Sequence, residues 1–213
     1  ALSGSEDGDV SIDVSDFTSV FADQDAGDTL QAVRIGSLPQ NAQLLLNGAA
    51  VSVGDVVAAG DIAGLAIRPD ADFSGDLSFE VALGDGTVFA DTPTAVTVSI
   101  AAVNDAPVDI DDTAALTVSE AAGAGDSVGT IVVNDPDAGD DHVFELVDDA
   151  GGLFSIDAAT GEVSIAGALD FETATSHEIV VQATDSGGLS NQWTRTVTVP
   201  NAKEDPAAPG DHT

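Results

Sequence analysis

Residues 76–83 read Asp76-Leu77-Ser78-Phe79-Glu80-Val81-Ala82-Leu83, "DLSFEVAL". Leu77, Phe79, Val81 and Leu83 stand at every second position, and successive side chains of a strand point to opposite faces, so the four share one buried side. Working outward, the same period recurs in "DVSIDV", with Val10, Ile12 and Val14 on a face, and in "AVTVSI", with Val96, Val98 and Ile100. Between these runs lie "QDAGD", "LNGA", "PDADFSGD" and "GDG", clusters of Gly, Asp, Asn and Pro that form turns.

The second half follows the same scheme. "ALTVSE" directs Leu116 and Val118 inward, "SVGTIVV" directs Val128 and Val132 or their neighbours, and "TGEVSI" directs Val163 and Ile165. "HEIVVQATD" and "WTRTVTV" complete the set, with Trp193, Val197 and Val199 on one face and Trp193 expected in the core. Arg195 falls on that same nominal face, so it is expected at a strand end or at a shift in the alternation. About seven short strands per hundred residues describe a β-sandwich, and 213 residues accommodate two. The expected fold is all-β, two tandem Greek-key β-sandwich domains in an elongated arrangement. Alternation stops at Ile100, and Asn104-Asp105-Ala106-Pro107 follows, where proline cannot continue a central strand. The expected domains are therefore 1–104 and 105–200, with 201–213 a linker or tail.

Composition narrows the function. A hydrophobic fraction of 43% suffices for a core, while Lys+Arg 4 against Asp+Glu 38 gives a net charge of −34. Nucleic acid and anionic membrane surfaces are excluded as partners, because both are bound through clustered Lys and Arg. No apolar run is long enough for membrane insertion, and "ALSGSEDGDV" has no signal-peptide pattern, so an export signal would lie elsewhere. With no Cys and no Met, disulfides, thiolate metal sites and thiol chemistry are excluded. Self-repulsion at this charge calls for dispersal, high salt or bound cations.

The acids cluster. "DQDAGD" at 23–28 and "DPDAGD" at 135–140 write three carboxylates into one turn, twice. Two carboxylates at 4 Å repel by about 1 kcal/mol in water and roughly 4 kcal/mol at an effective dielectric of 20, so such turns are either splayed into solvent or share a cation. Calcium takes six to eight oxygen ligands, which matches this supply. The twelfth position of an EF-hand would be Leu146 counted from Asp135 and Arg34 counted from Asp23, so that loop is excluded. No glycine-rich nonapeptide run is present either. Ligands must converge from separate loops.

Glu120, "DPDAGDD", "FSIDAATGEVSIAGALDFE" and "VQATDSGG", in this order over about residues 114–200, resemble a cadherin repeat. "LDFE" is similar to that family's L-D-R-E motif and "ATD" to its A-x-D motif. The resemblance implies calcium ions between successive domains. Asp135, Asp137 and Asp185, joined by Asn104 and Asp105, would face the preceding unit; Glu120, Asp170 and Glu172 would face whatever follows. The first unit resembles the looser cadherin-like repeats of large bacterial, RTX-type surface adhesins through "SEDGDVSI", "FADQDAGDTL", "IRPDADFSGDLSFEV", "LGDG" and "VNDAP". That resemblance implies Glu6, Asp23, Asp25 and Asp85 as ligands; L-D-x-E is missing, and among Asp70, Asp72 and Asp76 the candidate substitute is Asp76. Ala102 and Ala106 stand in "AVNDAP" where the family carries side-chain oxygens, so fewer ions than the family complement are expected there.

The implied function is a calcium-binding extracellular module of a bacterial surface adhesin. Calcium (Ca2+) would rigidify the interdomain junction for cell or biofilm adhesion. The partners would be neighbouring repeats of a longer chain and a polysaccharide or cell-surface ligand. The alternative is a calcium-dependent lectin for bacterial exopolysaccharide. Catalysis has little support: His142, His177 and His212 are scattered, no nucleophile motif occurs, and Asp170 with Glu172, formally a glycosidase pair, are already accounted for as calcium ligands.

Overall fold

The alternating segments fold as strands of two sandwiches in the computed structural model, which describes residues 2–22, 28–111 and 113–202. The chain divides into two units, Ala1–Val103 and Asn104–Thr213. Asn104, expected to close the first domain, belongs to the second, where its side chain bonds Asp185.

The first unit contains β1 (Leu2–Ser5), β2 (Val10–Ser11), α1 (Val14–Thr18), β3 (Ala32–Ile35), β4 (Ala42–Leu46), β5 (Ala49–Ala50), β6 (Val56–Ala58), β7 (Leu65–Pro69), β8 (Gly75–Gly84) and β9 (Thr94–Ala101). One sheet runs β1-β9-β8-β3-β6 and the other β2-β7-β4-β5. Leu77, Phe79, Val81 and Leu83 of β8 are all buried, packed with Val33, Ile35, Val98 and Ile100 and, from the second sheet, Val10, Leu44, Leu65 and Ile67. Burying each large side chain contributes about 1.5–3 kcal/mol, so the alternation in "DLSFEVAL" sets the sheet's inner face. The strand reading fails at Val14. The Asp13 side chain accepts the Ser15 N–H at 3.1 Å, and Asp16 accepts the Asp13 N–H at 2.8 Å. This capping box satisfies free donors at a helix start, turns the chain into α1 and buries Phe17 in place of a third strand residue.

The second unit contains β10 (Asp109–Ile110), β11 (Leu116–Thr117), β12 (Ser127–Thr130), β13 (Val133–Asn134), β14 (Val143–Asp148), β15 (Phe154–Ile156), β16 (Glu162–Ile165), β17 (Ser176–Thr184) and β18 (Ser190–Thr198). The sheets are β11-β18-β17-β14 and β12-β16-β15, with β10-β13 as a separate pair. Leu116, Phe144, Ile179, Val181 and Val197 pack with Val128, Phe154, Val163 and Ile165, and Trp193 lies partly buried against this core. Val132 is 52% exposed, and Ile131 at 1% takes its place. The register of β12 on β16 shifts between Ser127 and Gly129, and Gly129 has φ +153°, so the chain slips by a residue before β13. Arg195 neither ends β18 nor shifts the alternation. It is mid-strand and 9% exposed, donating Nη1–H to the Asp111 carbonyl and Nη2–H to the Ala114 carbonyl, each at 2.8 Å. The guanidinium thus ties two backbone carbonyls of the segment before β11 to mid-β18.

In each unit an early strand, β1 in the first and β11 in the second, pairs in parallel with the last. Leu2 is opposite Val98 and Ser5 opposite Ala101; Leu116 is opposite Val197 and Thr117 opposite Thr198. This pairing brings the glutamate that follows β1 or β11 beside the chain leaving its unit.

Candidate metal centre

Glu6 and Glu120 occupy matching places. Glu6 is 7% exposed and its Oε1 accepts the Val103 N–H at 2.6 Å. Glu120 Oε1 accepts the Ala202 N–H at 2.6 Å, and its Oε2 accepts the Phe171 N–H at 2.9 Å. The second contact draws in the "LDFE" loop before β17. Ligand oxygens of Glu120, Asp170 and Glu172 then lie within 4.8 Å of one another, with Asn201 Nδ2 donating to Glu172 Oε1 at 3.3 Å. The Asp170 carboxyl is held below its ordinary range, chiefly by the Thr173 hydroxyl and then by the Thr173 N–H. All the donors in this set are carboxylate oxygens, which is the chemistry calcium selects.

At the far end of β17, a nine-residue strand of about 30 Å, the other predicted residues of this unit meet. Asn104 Nδ2 donates to Asp185 Oδ2 at 2.9 Å. The Asp105 N–H donates to Asp137 Oδ2 at 2.7 Å, and the Asp137 N–H donates to Asp135 Oδ1 at 2.9 Å. Asp185 Oδ1 also accepts the Leu189 N–H at 2.8 Å. Burial, the largest influence on the Asp185 carboxyl, pushes its pKa up. The Asn104 amide and the backbone N–H groups of Leu189, Gly188 and Gly187 together outweigh it and hold the carboxyl below the usual value of 3.8. This set too offers only carboxylate and carboxamide oxygens, so Asp135, Asp137, Asp185, Asn104 and Asp105 fit a hard cation.

Sequence reasoning missed His142 here. Its Nε2 lies 2.8 Å from Asp135 Oδ2, with the two side chains 13% and 5% exposed. No spacing rule marks it; the ring meets Asp135 only because the turn after β13 folds back before β14.

In the first unit fewer of the predicted residues come together. Asp85 Oδ1 is engaged by the N–H and hydroxyl of Thr87 and the N–H of Val88. The Val88 and Thr87 N–H groups and the Thr87 hydroxyl lower its pKa. Asp76 lies within β8 opposite Ser99, exposed on the face away from the core. Glu6 gathers no carboxylate triad: among the described residues the Glu120 set is the only such group. Asp23 and Asp25 lie outside the described residues.

Against known proteins, residues 114–200 match the family model of the cadherin domain. Cadherin-7 of Gallus gallus is 36% identical over 96 residues, covering 44% of this chain and 12% of the relative. Protein dachsous of Drosophila melanogaster is 32% identical over 136 residues, covering 61% of this chain and 4% of the relative. The chain thus spans a small part of the proteins it matches. Among solved structures, the human Desmocollin-1 ectodomain aligns with a TM-score of 0.53 at 17% identity, over 93% of this chain and 38% of that one, a likeness of fold. Among the described residues no helix is long and apolar enough to cross a membrane.

Proposed function

We propose that this chain is a calcium-binding, cadherin-like section of a longer extracellular adhesion protein of the bacterial surface. The observation that carries the calcium reading is the convergence of Glu120, Asp170 and Glu172 within 4.8 Å, built by a glutamate that also holds the chain leaving the unit. The match of residues 114–200 to the cadherin domain supports the adhesion class. The motifs of the first unit support the bacterial setting.

Calcium would bring a double positive charge among carboxylates that otherwise repel. Glu120, Asp170 and Glu172 would hold it at one end of the second unit, and Asp135, Asp137, Asp185, Asn104 and Asp105 at the other. The chain's own part is to fix the exit strands. Glu6 holds the Val103 N–H and Asn104, the next residue, is held by Asp185. Each anchor is thus a candidate ligand or a partner of one, and calcium ordering them would rigidify the chain where one unit passes into the next. Calorimetric calcium titration, paired with melts in calcium and in chelator, tests this; a negligible melting shift rejects the calcium reading. At a hundredfold excess of calcium over Kd, a site absent from the unfolded chain adds about 2.7 kcal/mol.

The lectin reading has one supporting observation, a groove of about 450 Å³ lined by Trp193, Asp109, Ile110, Leu116, Thr194 and Arg195. Titration with bacterial exopolysaccharide, with and without calcium, separates the two; absent or calcium-independent binding rejects the lectin.

A further inference from the structure

The turn between β17 and β18 carries two adjacent glycines that are there for different reasons. Gly188 has φ +91°, the left-handed region that disfavours any side chain. Gly187 is not among the positive-φ positions, so its backbone conformation is open to any L residue. What stands in the way of a side chain is Asn104. A Cβ on Gly187 would lie 2.6 Å from Asn104 Nδ2 and closer still to its Cγ and Oδ1. Those three carboxamide atoms are the nearest neighbours of that position. The same carboxamide donates to Asp185 Oδ2 at 2.9 Å.

We propose that Gly187 is a positioning residue: its missing side chain is the seat in which the Asn104 carboxamide lies, which keeps Asn104 on Asp185 and fixes the first residue of the second unit. The seat itself is independent of any ion. Its consequence for calcium rests on the reading of Asn104 and Asp185 as part of a metal centre: a group that orients a ligand sets affinity without touching the metal.

The test compares the full chain with Gly187→Ala, Asn104→Ala and the double variant, melted in chelator and followed by fluorescence of the single Trp, which reports the second unit. Gly187→Ala lowers the melting temperature by several degrees in the native background and leaves it unchanged in the Asn104→Ala background, because that substitution removes the carboxamide atoms that a Cβ would strike. The side-chain amide NMR signals of Asn104 shift in Gly187→Ala. In calorimetry with calcium alone, each single variant binds about tenfold more weakly, and the double variant no worse than Asn104→Ala. An equal loss in both backgrounds, or none in either, overturns the proposal. If Gly187→Ala fails to fold, recovery of folding in the double variant supports the seat, and its failure to fold overturns it. A wild-type chain that takes up no calcium sinks the calcium reading, while the melting cycle still decides the role of Gly187.

Discussion

Replacing Glu120 separates the clamp from the ion. In chelator, Glu120→Ala removes two backbone hydrogen bonds, from Ala202 and Phe171. Hydrogen bonds to a charged group contribute about 1.5–3 kcal/mol each, and partial exposure places these at the low end, about 3 kcal/mol together. The substitution also relieves repulsion from Asp170 and Glu172, whose ligand oxygens lie within 4.8 Å of that of Glu120. Both are exposed, so each pair is close to its value in water, about 1 kcal/mol. The net loss for alanine is therefore about 1 kcal/mol, or roughly 4–8 °C in a domain of this size. Glu120→Gln keeps one acceptor and sheds the charge, so the lost bond and the relieved repulsion nearly cancel and the melting temperature hardly moves. Added salt screens the repulsion, so the alanine penalty grows with ionic strength in chelator. In saturating calcium the wild type gains more stability than either variant, because the variants keep only the Asp135 set at the other end of the unit. The assay is the Trp193 fluorescence melt over a salt series, in chelator and in calcium. A glutamine variant that loses as much as alanine in chelator refutes the repulsion argument. Equal calcium shifts in all three proteins refute the site.

Arg195→Met leaves the Asp111 and Ala114 carbonyls without their donors and costs about 2–4 kcal/mol, read by chemical denaturation; a loss under about 0.5 kcal/mol would mean that water replaces the guanidinium. Ile131→Ala costs about 2–4 kcal/mol while Val132→Ala costs almost nothing, since Ile131 is 1% and Val132 52% exposed; the reverse order would restore the strict alternation. The Asp157 carboxyl is held below its ordinary value of 3.8, first by the Thr160 hydroxyl and then by the Thr160 and Ala159 N–H groups. A depressed folded-state pKa contributes stability above the unfolded value that is lost as pH falls through the folded one. The melting difference between wild type and Asp157→Ala is thus constant above about pH 5 and narrows in acid; a difference that widens in acid contradicts the sign.

How far the sequence could be read depended on whether a residue's role is set by its own strand. Leu77, Phe79, Val81, Leu83, Leu116, Val118, Val163 and Ile165 are buried as the alternation requires, because a period of two has one inner face. By the same period Asp76, the residue before Leu77, is exposed on the outer face of β8. Val14 fitted the period and still left it, because Asp13 and Asp16 form a capping box, a local signal that outcompetes continuation of a short strand. Arg195 could not be placed from sequence, since its partners at 111 and 114 are backbone carbonyls whose direction no residue type announces. Glu120, Asp170 and Glu172 were named through the resemblance of Glu120 and "LDFE" to a cadherin repeat, and the structure gathers their oxygens within 4.8 Å of one another. His142 was not, because its contact depends on the path of a turn.

The two units share the clamp but not the triad. Parallel pairing of β1 and of β11 with the last strand of each unit puts Glu6 on Val103 and Glu120 on Ala202 at the same 2.6 Å, so a glutamate at this position has a role without an ion, tying down the chain where it leaves the sandwich. Only the second unit adds two more carboxylates beside that clamp among the described residues. A lone glutamate already bonded to backbone offers a cation one carboxylate's worth of oxygen, far short of six to eight ligands. Three converging carboxylates offer up to six oxygens and repel one another until a cation arrives. The glutamate therefore reads first as a structural clamp, and the metal centre as something the second unit builds onto it by furnishing the loop before β17 with acids.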